Sequence, residues 1–204
     1  MTRRTPAPAR IVALLVLLAV ALGACVPGAV PDRDRTAIVL GVPADRLVPG
    51  AADGLHERLR DADTGFSFVS NVRARFLEVR RGLVDGSVAP GAARIARTTG
   101  AGLAVTIEST TLVREIVDAD RPRPLQRTTV QLEVAILAAD DARELARLAG
   151  PRLRHERRID GSELPDLGDD PAVAALRDRS LDELAPRVAD ELRNLAPVTG
   201  SSGE

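Results

Sequence analysis

Two neighbouring stretches of alternating apolar residues place the tightest limit on how this chain can fold. Leu103, Val105 and Ile107 alternate with smaller or polar residues, and the run 112–117 is available to extend the same strand. After a polar loop with two prolines, the stretch 128–137 alternates in the same way. A period of two is typical of strands with one buried face, so these stretches favour an antiparallel hairpin.

The other predicted elements lie on both sides of this hairpin. The continuous apolar run 36–42 predicts a strand that is covered on both faces. Helical spacing of apolar residues, with Asn71 and Asp170 as N-caps, predicts the helices. The full set consists of strands at 36–42, 66–70, 103 onward, 128–137 and 153–159, and helices at 51–62, 71–81, 92–99 and 171–195.

Two stretches carry conflicting signals. Residues 141–149 contain strong helix formers, but a turn that leads into a strand fits them as well, and the sequence leaves both options open. Pro186 lies within the last predicted helix and is expected to kink or split it.

In the second predicted helix, the apolar residues Val72, Phe76 and Val79 fall on one side.

Together these elements predict an α/β (α+β) sandwich, in which helices flank a mixed sheet of about four or five strands. The predicted order is β-α-β-α-α-β-β-β-α, in a single domain at 36–196 followed by a flexible tail at 197–204. The core must be built from Leu, Val, Ile and Ala, because the chain has three Phe and neither Trp nor Tyr. This composition disfavours surfaces that stack aromatic rings on bases or sugars.

The first 25 residues have the three-part layout of an export signal. A head with three arginines and no acidic residue precedes an apolar run at 11–22, and Cys25, the only cysteine of the chain, follows shortly afterwards. This ending resembles a lipobox, which implies removal of residues 1–24 and a diacylglycerol on Cys25. The predicted cleavage motif consists of Leu22, Gly23 and Ala24.

The alternatives to a cleaved leader are an uncleaved anchor and a buried helix. The anchor is disfavoured because the apolar run is short against the roughly 20 residues of a spanning helix. The buried helix is disfavoured because the basic head, apolar run and cysteine together have the layout of an export signal. With cleavage, residues 25–35 form the lipidated cysteine and a tether that reaches at most about 35 Å, which keeps the domain close to the bilayer. The formal charge then changes from −1 to −4, and this disfavours binding to nucleic acid.

The order of elements resembles that of a group of bacterial lipoproteins, the curli-secretion (CsgG-type) family and the outer-membrane activators of penicillin-binding proteins. The resemblance implies a small α/β domain that makes contacts and has no chemistry of its own. The matching segments are 36–42, 65–71, 99–108 and the terminal helix at 171–195. The chain departs from the family at Gly100–Gly102, where Gly-Ala-Asp is usual, and at Ala139–Ala142, where a Thr-Gly turn is usual. The short connection at 114–127 disfavours a curli-type pore, because barrel strands need about 9–11 residues each.

The densest basic cluster of the chain lies at 152–158. Guanidinium groups match carboxylates and phosphates, so this cluster is a candidate partner-binding patch. The alternative is a solvated strand whose charge is balanced by neighbouring acidic residues. The patch consists of Arg152, Arg154, His155, Arg157 and Arg158.

The sequence predicts neither a catalytic nor a metal site. His56 with Asp53 and Glu57 is the best local cluster of metal-ligating side chains, but it is also the ordinary composition of an exposed helix. Glu108 and Glu133 can oppose each other across the hairpin, where solvated carboxylates are expected. No Gly-x-Ser-x-Gly or phosphate-binding loop is present. We therefore predict no enzyme activity, no metal and no cofactor beyond the covalent lipid.

These expectations describe a lipid-anchored envelope lipoprotein that acts as a non-catalytic adaptor or assembly factor. Its expected partners are the bilayer, through Cys25, and an envelope protein; a homo-oligomer is a further option, and nucleic acid is not expected. Val26 stands where an Asp would retain a lipoprotein at the inner membrane, which favours the periplasmic face of the outer membrane in a diderm cell. A tethered small-ligand or lipid carrier is the alternative, and an envelope hydrolase is a weaker one.

Overall fold

The structure is a computed structural model, and it describes residues 35–41, 44–81, 88–160 and 164–196. All of these residues belong to one compact unit, residues 32–204. The predicted leader, its cleavage motif, Cys25 and the tail at 197–204 lie outside the described residues. Within the described part, every helix is too short or too polar to cross a bilayer.

The elements follow the predicted order, with one strand and one short helix added. The strands are β1 (Thr36–Leu40), β2 (Ser67–Phe68), β3 (Leu103–Val117), β4 (Leu125–Ala138), β5 (Glu144–Ala149) and β6 (Leu153–Arg158). The helices are α1 (Ala44–Leu47), α2 (Ala51–Asp61), α3 (Asn71–Arg81), α4 (Val88–Thr99) and α5 (Pro171–Leu195), with a 3-10 turn at Leu167–Asp169.

The strands form one mixed sheet, which confirms the predicted fold class. Strand β1 is parallel to both β2 and β3, and the spatial order is β2-β1-β3-β4-β5. The predicted hairpin is present, with β3 and β4 paired from Leu103↔Ala138 to Val117↔Leu125. Strands β5 and β6 both pair antiparallel with β4, so they follow one another along the same side of it.

Helices cover the two faces of the sheet unequally. On one face, α2 and α5 pack on β1, β3 and β4 over a large core rich in Leu, Val and Ile. On the other face, α3 and α4 pack over a smaller, alanine-rich core that includes Ile38, Ile95 and Ala135. Strand β1 is buried on both faces, as the sequence predicted. Full burial of one Leu or Ile side chain is worth about 1.5–3 kcal/mol, so the first core contributes most of the stability.

The structure resolves residues 141–149 as a turn and a strand. The amide of Ala138 donates to the carbonyl of Arg143 over 2.9 Å, and Ala142 has a φ of 60° in the left-handed region. The helix formers of this stretch are overridden because pairing with β4 satisfies the backbone and buries Leu148. This addition brings the sheet to six strands.

Helix α5 continues through Pro186 without a break, so the expected split is wrong. Proline removes one backbone donor and leaves the carbonyl of Asp182 without its helical partner. Both residues are exposed, which allows water to hydrate that carbonyl. On the buried side, Leu181, Leu184 and Val188 keep the helix packed against the sheet.

Helix α3 turns its apolar side toward solvent. Val72 is 76% exposed and Phe76 is 58% exposed, whereas Ala74 and Glu78 of the same helix are buried. The side chain of Val79 lies outside the described residues. Apolar spacing predicts which residues share a side of this helix, but not which side packs against the sheet.

An ionic cluster accounts for this orientation. Glu78 accepts a hydrogen bond from the Gly41 amide and pairs with Arg75, each over 2.6 Å. Arg75 also pairs with Asp45 at 3.0 Å and Asp53 at 3.3 Å. Desolvation lowers the pKa of Arg75, but the attraction of Glu78 and Asp45 outweighs it and the pKa is raised. A Cβ at Gly41 would lie 2.7 Å from Arg75 Nη1, so the cluster requires a glycine there.

A second ionic cluster, which is buried, attaches the start of α5 to the hairpin. Asp170 is the N-cap that the sequence predicted, and it accepts a 2.9 Å hydrogen bond from the Ala172 amide. Its other oxygen lies 2.9 Å from Arg114 Nη2 of β3 and 2.7 Å from Gln126 Nε2 of β4. The Asp170 side chain is fully buried and that of Arg114 is 13% exposed. Removing one member of such a pair leaves the other charged and buried, which costs several kcal/mol.

We predict that Asp170→Ala lowers the free energy of unfolding by about 3–5 kcal/mol, because Arg114 loses its carboxylate. Asp170→Asn keeps an N-cap acceptor but not the charge, so its loss should fall between wild type and Asp170→Ala. Urea denaturation measures both. The control is Asp160→Ala, which removes an exposed pair with Arg123 and should cost less than about 1 kcal/mol. Equal losses for Asp170→Ala and Asp160→Ala would contradict the assignment.

Candidate functional site

The distal half of the β3–β4 hairpin presents an open face on the side of the sheet that carries α3 and α4. The smaller core reaches β3 at Ala104 and β4 at Ala135, but it does not include the residues of the hairpin beyond Glu108 and Glu133. Register places the following residues on this surface, which we call the open sheet face: Thr111, Val113, Glu115 and Val117 of β3, Leu125, Arg127, Thr129 and Gln131 of β4, and Arg154, Glu156 and Arg158 of β6.

A row of alternating charges crosses the open sheet face. Glu115, Arg127 and Glu156 lie opposite one another on three neighbouring strands, with Arg127 2.8 Å from Glu115 and 2.7 Å from Glu156. Hydrogen bonds from Arg127 and then Arg154 lower the pKa of Glu156, and the two glutamates raise the pKa of Arg127. Exposed ion pairs contribute little to stability, so these charges can exchange partners with a docked protein at small cost.

Strand alternation divides the predicted basic patch between the two faces of the sheet. Arg154 and Arg158 lie on the open sheet face, whereas His155 and Arg157 lie on the side that carries α5. Arg157 donates to Gln126 over 2.8 Å and stands 3.6 Å from buried Asp170, so it belongs to the cluster at the start of α5. The even spacing at 153–159 predicted a strand, and a strand places alternate residues on opposite faces of the sheet. As a partner-binding patch, the cluster stays a prediction.

Arg152 completes a groove on the open sheet face. It lies just before β6 and forms no ion pair with the described residues. The groove is open to solvent and has a volume of about 340 Å³. Its lining consists of Val113, Glu115, Arg127, Thr129, Arg152 and Arg154. Sequence reasoning found Arg152 and Arg154 but missed Arg127 and also Val113, which is 43% exposed and apolar.

Glu108 and Glu133 face each other across the hairpin, as the sequence allowed. Arg147 of β5 lies between them, 2.8 Å from Glu133 and 3.6 Å from Glu108. Arg147 also pairs with Glu144 at 2.7 Å, and its hydrogen bonds lower the pKa of Glu144. This guanidinium attracts both carboxylates and offsets part of their repulsion, so the pair is a structural feature of the sheet surface.

The best metal-ligating cluster of the sequence does not converge in the structure. His56 is buried and packs edge-on against Phe68, with ring centroids 6.1 Å apart. Asp53 is bonded to Arg75 and Asn71, and Glu57 is exposed. Within the described ranges, no three His, Cys, Asp or Glu side chains are grouped to hold a metal ion.

Two further grooves lie on the surface of the domain. One, of about 420 Å³, lies between α2 and α5, where the Arg58–Asp182 ion pair of 2.7 Å borders a floor of Ala185 and Ala189. The other, of about 460 Å³, lies beside Arg158 and the segment that precedes α5. Both are open to solvent and bordered by charged side chains, unlike the enclosed apolar cavity that holds a lipid or drug-sized ligand.

No protein-family model and no curated protein matches the chain. Solved structures resemble its fold at low identity. The lipoprotein GNA1162 from Neisseria meningitidis is 11% identical with a TM-score of 0.41, covering 78% of this chain and 98% of that one. The LpoB C-terminal domain from Salmonella enterica is 14% identical with a TM-score of 0.35, covering 70% and 93%. A minor lipoprotein from Acinetobacter baumannii is 10% identical with a TM-score of 0.31, covering 78% and 93%.

At these identities and TM-scores, the resemblance assigns neither a family nor a function to this chain. The structures it resembles include bacterial lipoproteins. The CsgG-type relationship stays a prediction from the sequence.

We predict that His56 makes stability fall in mild acid. Burial lowers the pKa of His56, and the nearby Asp53 and Glu57 do not outweigh it. Because the unfolded chain then binds more protons, stability decreases as the pH falls below the ordinary histidine value of about 6.5.

Melting temperatures between about pH 7 and pH 5 measure this effect, since most carboxylates titrate lower. His56→Leu should flatten the decrease in that window. His155→Gln is the matched control, because the other histidine of the chain is exposed, and it should keep the wild-type slope. An unchanged slope in His56→Leu would show that another group is responsible.

Proposed function

We propose that this protein is a lipid-anchored envelope lipoprotein that acts as a non-catalytic adaptor for another envelope protein. The observation that carries this proposal is the open sheet face, where apolar Val113 lies beside a row of exchangeable ion pairs. Mixed surfaces with a small apolar centre and a charged border are typical of protein–protein contacts. The fold supplies a rigid support for it, because α5 packs on the opposite side of the same strands.

The anchor follows from the sequence pattern that ends in Cys25. A diacylglycerol and a further acyl chain on one residue give lasting membrane attachment, since each buried methylene contributes about 0.8 kcal/mol. The tether up to Arg35 reaches at most about 35 Å, so the domain would act close to the bilayer. Val26 in place of an Asp supports the periplasmic face of the outer membrane in a diderm cell.

The geometry supports an adaptor better than a carrier. A tethered carrier of lipid or a small ligand needs an enclosed apolar cavity. The grooves described above are open and bordered by charges, and the side chains of the main core, such as Leu132, Ile136 and Leu181, are fully buried against one another. An envelope hydrolase would need a nucleophile beside a base, whereas His56 packs on Phe68 and His155 is exposed on β6.

We predict that Cys25→Ala releases the protein from the membrane fraction, because the residue that carries the lipid is lost. Fractionation of cells followed by immunoblotting measures the release. His155→Gln, at an exposed position of β6, serves as a control that leaves the leader unchanged and should stay in the membrane fraction. An unmodified Cys25 thiol and an intact leader on the native polypeptide, as seen by mass spectrometry, would contradict lipid anchoring.

We predict that a photocrosslinking residue at Val113 captures one defined envelope protein in living cells. The control position is Val72, which is 76% exposed on α3, away from the open sheet face. Mass spectrometry identifies the adducts. The same adducts at both positions, or adducts with lipid alone at Val113, would contradict an adaptor that binds through the open sheet face.

A further inference from the structure

The outer edge of β6 is an exposed strand edge. Among the described residues, β6 pairs with β4 alone, and β2 at the far edge of the sheet has only two residues. Most β6 side chains are exposed, including Arg154, His155 and Glu156. A strand edge of this kind offers a row of backbone donors and acceptors to another extended segment.

Register identifies which backbone groups are available. The amide of Ile159 donates to the carbonyl of Pro124 over 3.0 Å. Because hydrogen-bonded pairs alternate along an antiparallel ladder, His155 and Arg157 also direct their backbone groups to β4. The N–H and C=O groups of the intervening residues therefore point away from β4. These residues are Arg154, Glu156 and Arg158.

The charge of this edge selects among possible occupants. Four arginines against one glutamate give residues 152–158 a formal charge of +3 with His neutral, and the edge stays positive although Arg157 is engaged by Gln126 and Asp170. Two copies of such an edge repel each other, and charged side chains are a common protection against pairing of this type. The same charges favour an acidic segment, and Arg152 forms no ion pair with the described residues and is available to it.

We propose that the outer edge of β6 binds an extended acidic segment of a partner protein by strand addition. This inference rests on the proposed adaptor function and names the chemistry of the partner. The backbone groups of Arg154, Glu156 and Arg158 supply the hydrogen bonds of the added strand. Arg152, Arg154 and Arg158 select acidic side chains, and a neutral residue is preferred opposite Glu156.

The test compares two variants at the same position, Glu156→Pro and Glu156→Ala. Both remove the carboxylate, but proline alone removes the outward N–H, and it leaves the ladder to β4 intact because that N–H is not used there. The probe is a fluorescent peptide with two glutamates four positions apart and a threonine midway, and its twin has glutamine in place of glutamate. Fluorescence anisotropy measures binding to the chain that begins at Asp32, where the compact unit starts.

Strand addition predicts that Glu156→Pro binds the peptide about tenfold more weakly than Glu156→Ala. The glutamine peptide should bind more weakly than the glutamate peptide, and added salt should remove the difference. Equal binding by the two variants, or equal binding of the two peptides, would overturn the proposal. Self-association that Glu156→Pro abolishes would also overturn it, because a second copy would then occupy the edge.

Peptides with N-methyl groups on alternate amides provide a measurement that does not depend on the folding of Glu156→Pro. One of the two methylation patterns blocks the hydrogen bonds to β6, and the other leaves them free. Wild-type protein should bind only the second pattern, and equal binding of both would overturn strand addition. The titration needs neither membrane nor lipid, so its failure is distinguishable from a failure of the proposed anchoring, which the Cys25→Ala fractionation measures.

Discussion

Pairing along β4 is the constraint on which the rest of the structure depends. The strand is joined to β3 over its full length on one side and to β5 and β6 in succession on the other. Its alternating residues send Val130, Leu132 and Val134 into the main core beneath α5. A slip of one residue would move this apolar set to the opposite face, so the register of β4 determines both the core and the open sheet face.

Two ionic clusters, one partly buried and one buried, then determine how helices meet this sheet. Arg75 with its carboxylates orients α3, and Asp170 with Arg114 attaches the start of α5 to the hairpin. Neither cluster is explained by apolar burial, because buried ion pairs often contribute little net stability compared with apolar side chains of similar size. Their effect is geometric: a buried charge that finds its partners in only one arrangement disfavours the others. The exposed Val72 and Phe76 are a consequence of this preference.

Much of the fold was predictable because it rests on local periodicity. Strand β1, the hairpin and the apolar side of α5 each repeat at a spacing visible in the sequence. Strand β5 was left open because its residues favour a helix, and only pairing with β4 overrides that preference. The orientation of α3 was not predictable, since Arg75 reaches Asp45 and Asp53 across distances in the chain that periodicity does not report.

In the candidate site too, the residues were predictable from the local sequence, whereas their partners depend on segments distant in the chain. The arginines of 152–158 are visible in the sequence, and strand alternation alone separates Arg154 from Arg157. That Arg157 is engaged by Gln126 while Arg152 is available depends on register and on the position of Asp170. The formal charge of a segment therefore overstates the charge it can offer a partner. What remains for recognition is the set of arginines that the buried cluster does not use, together with the backbone edge beside them.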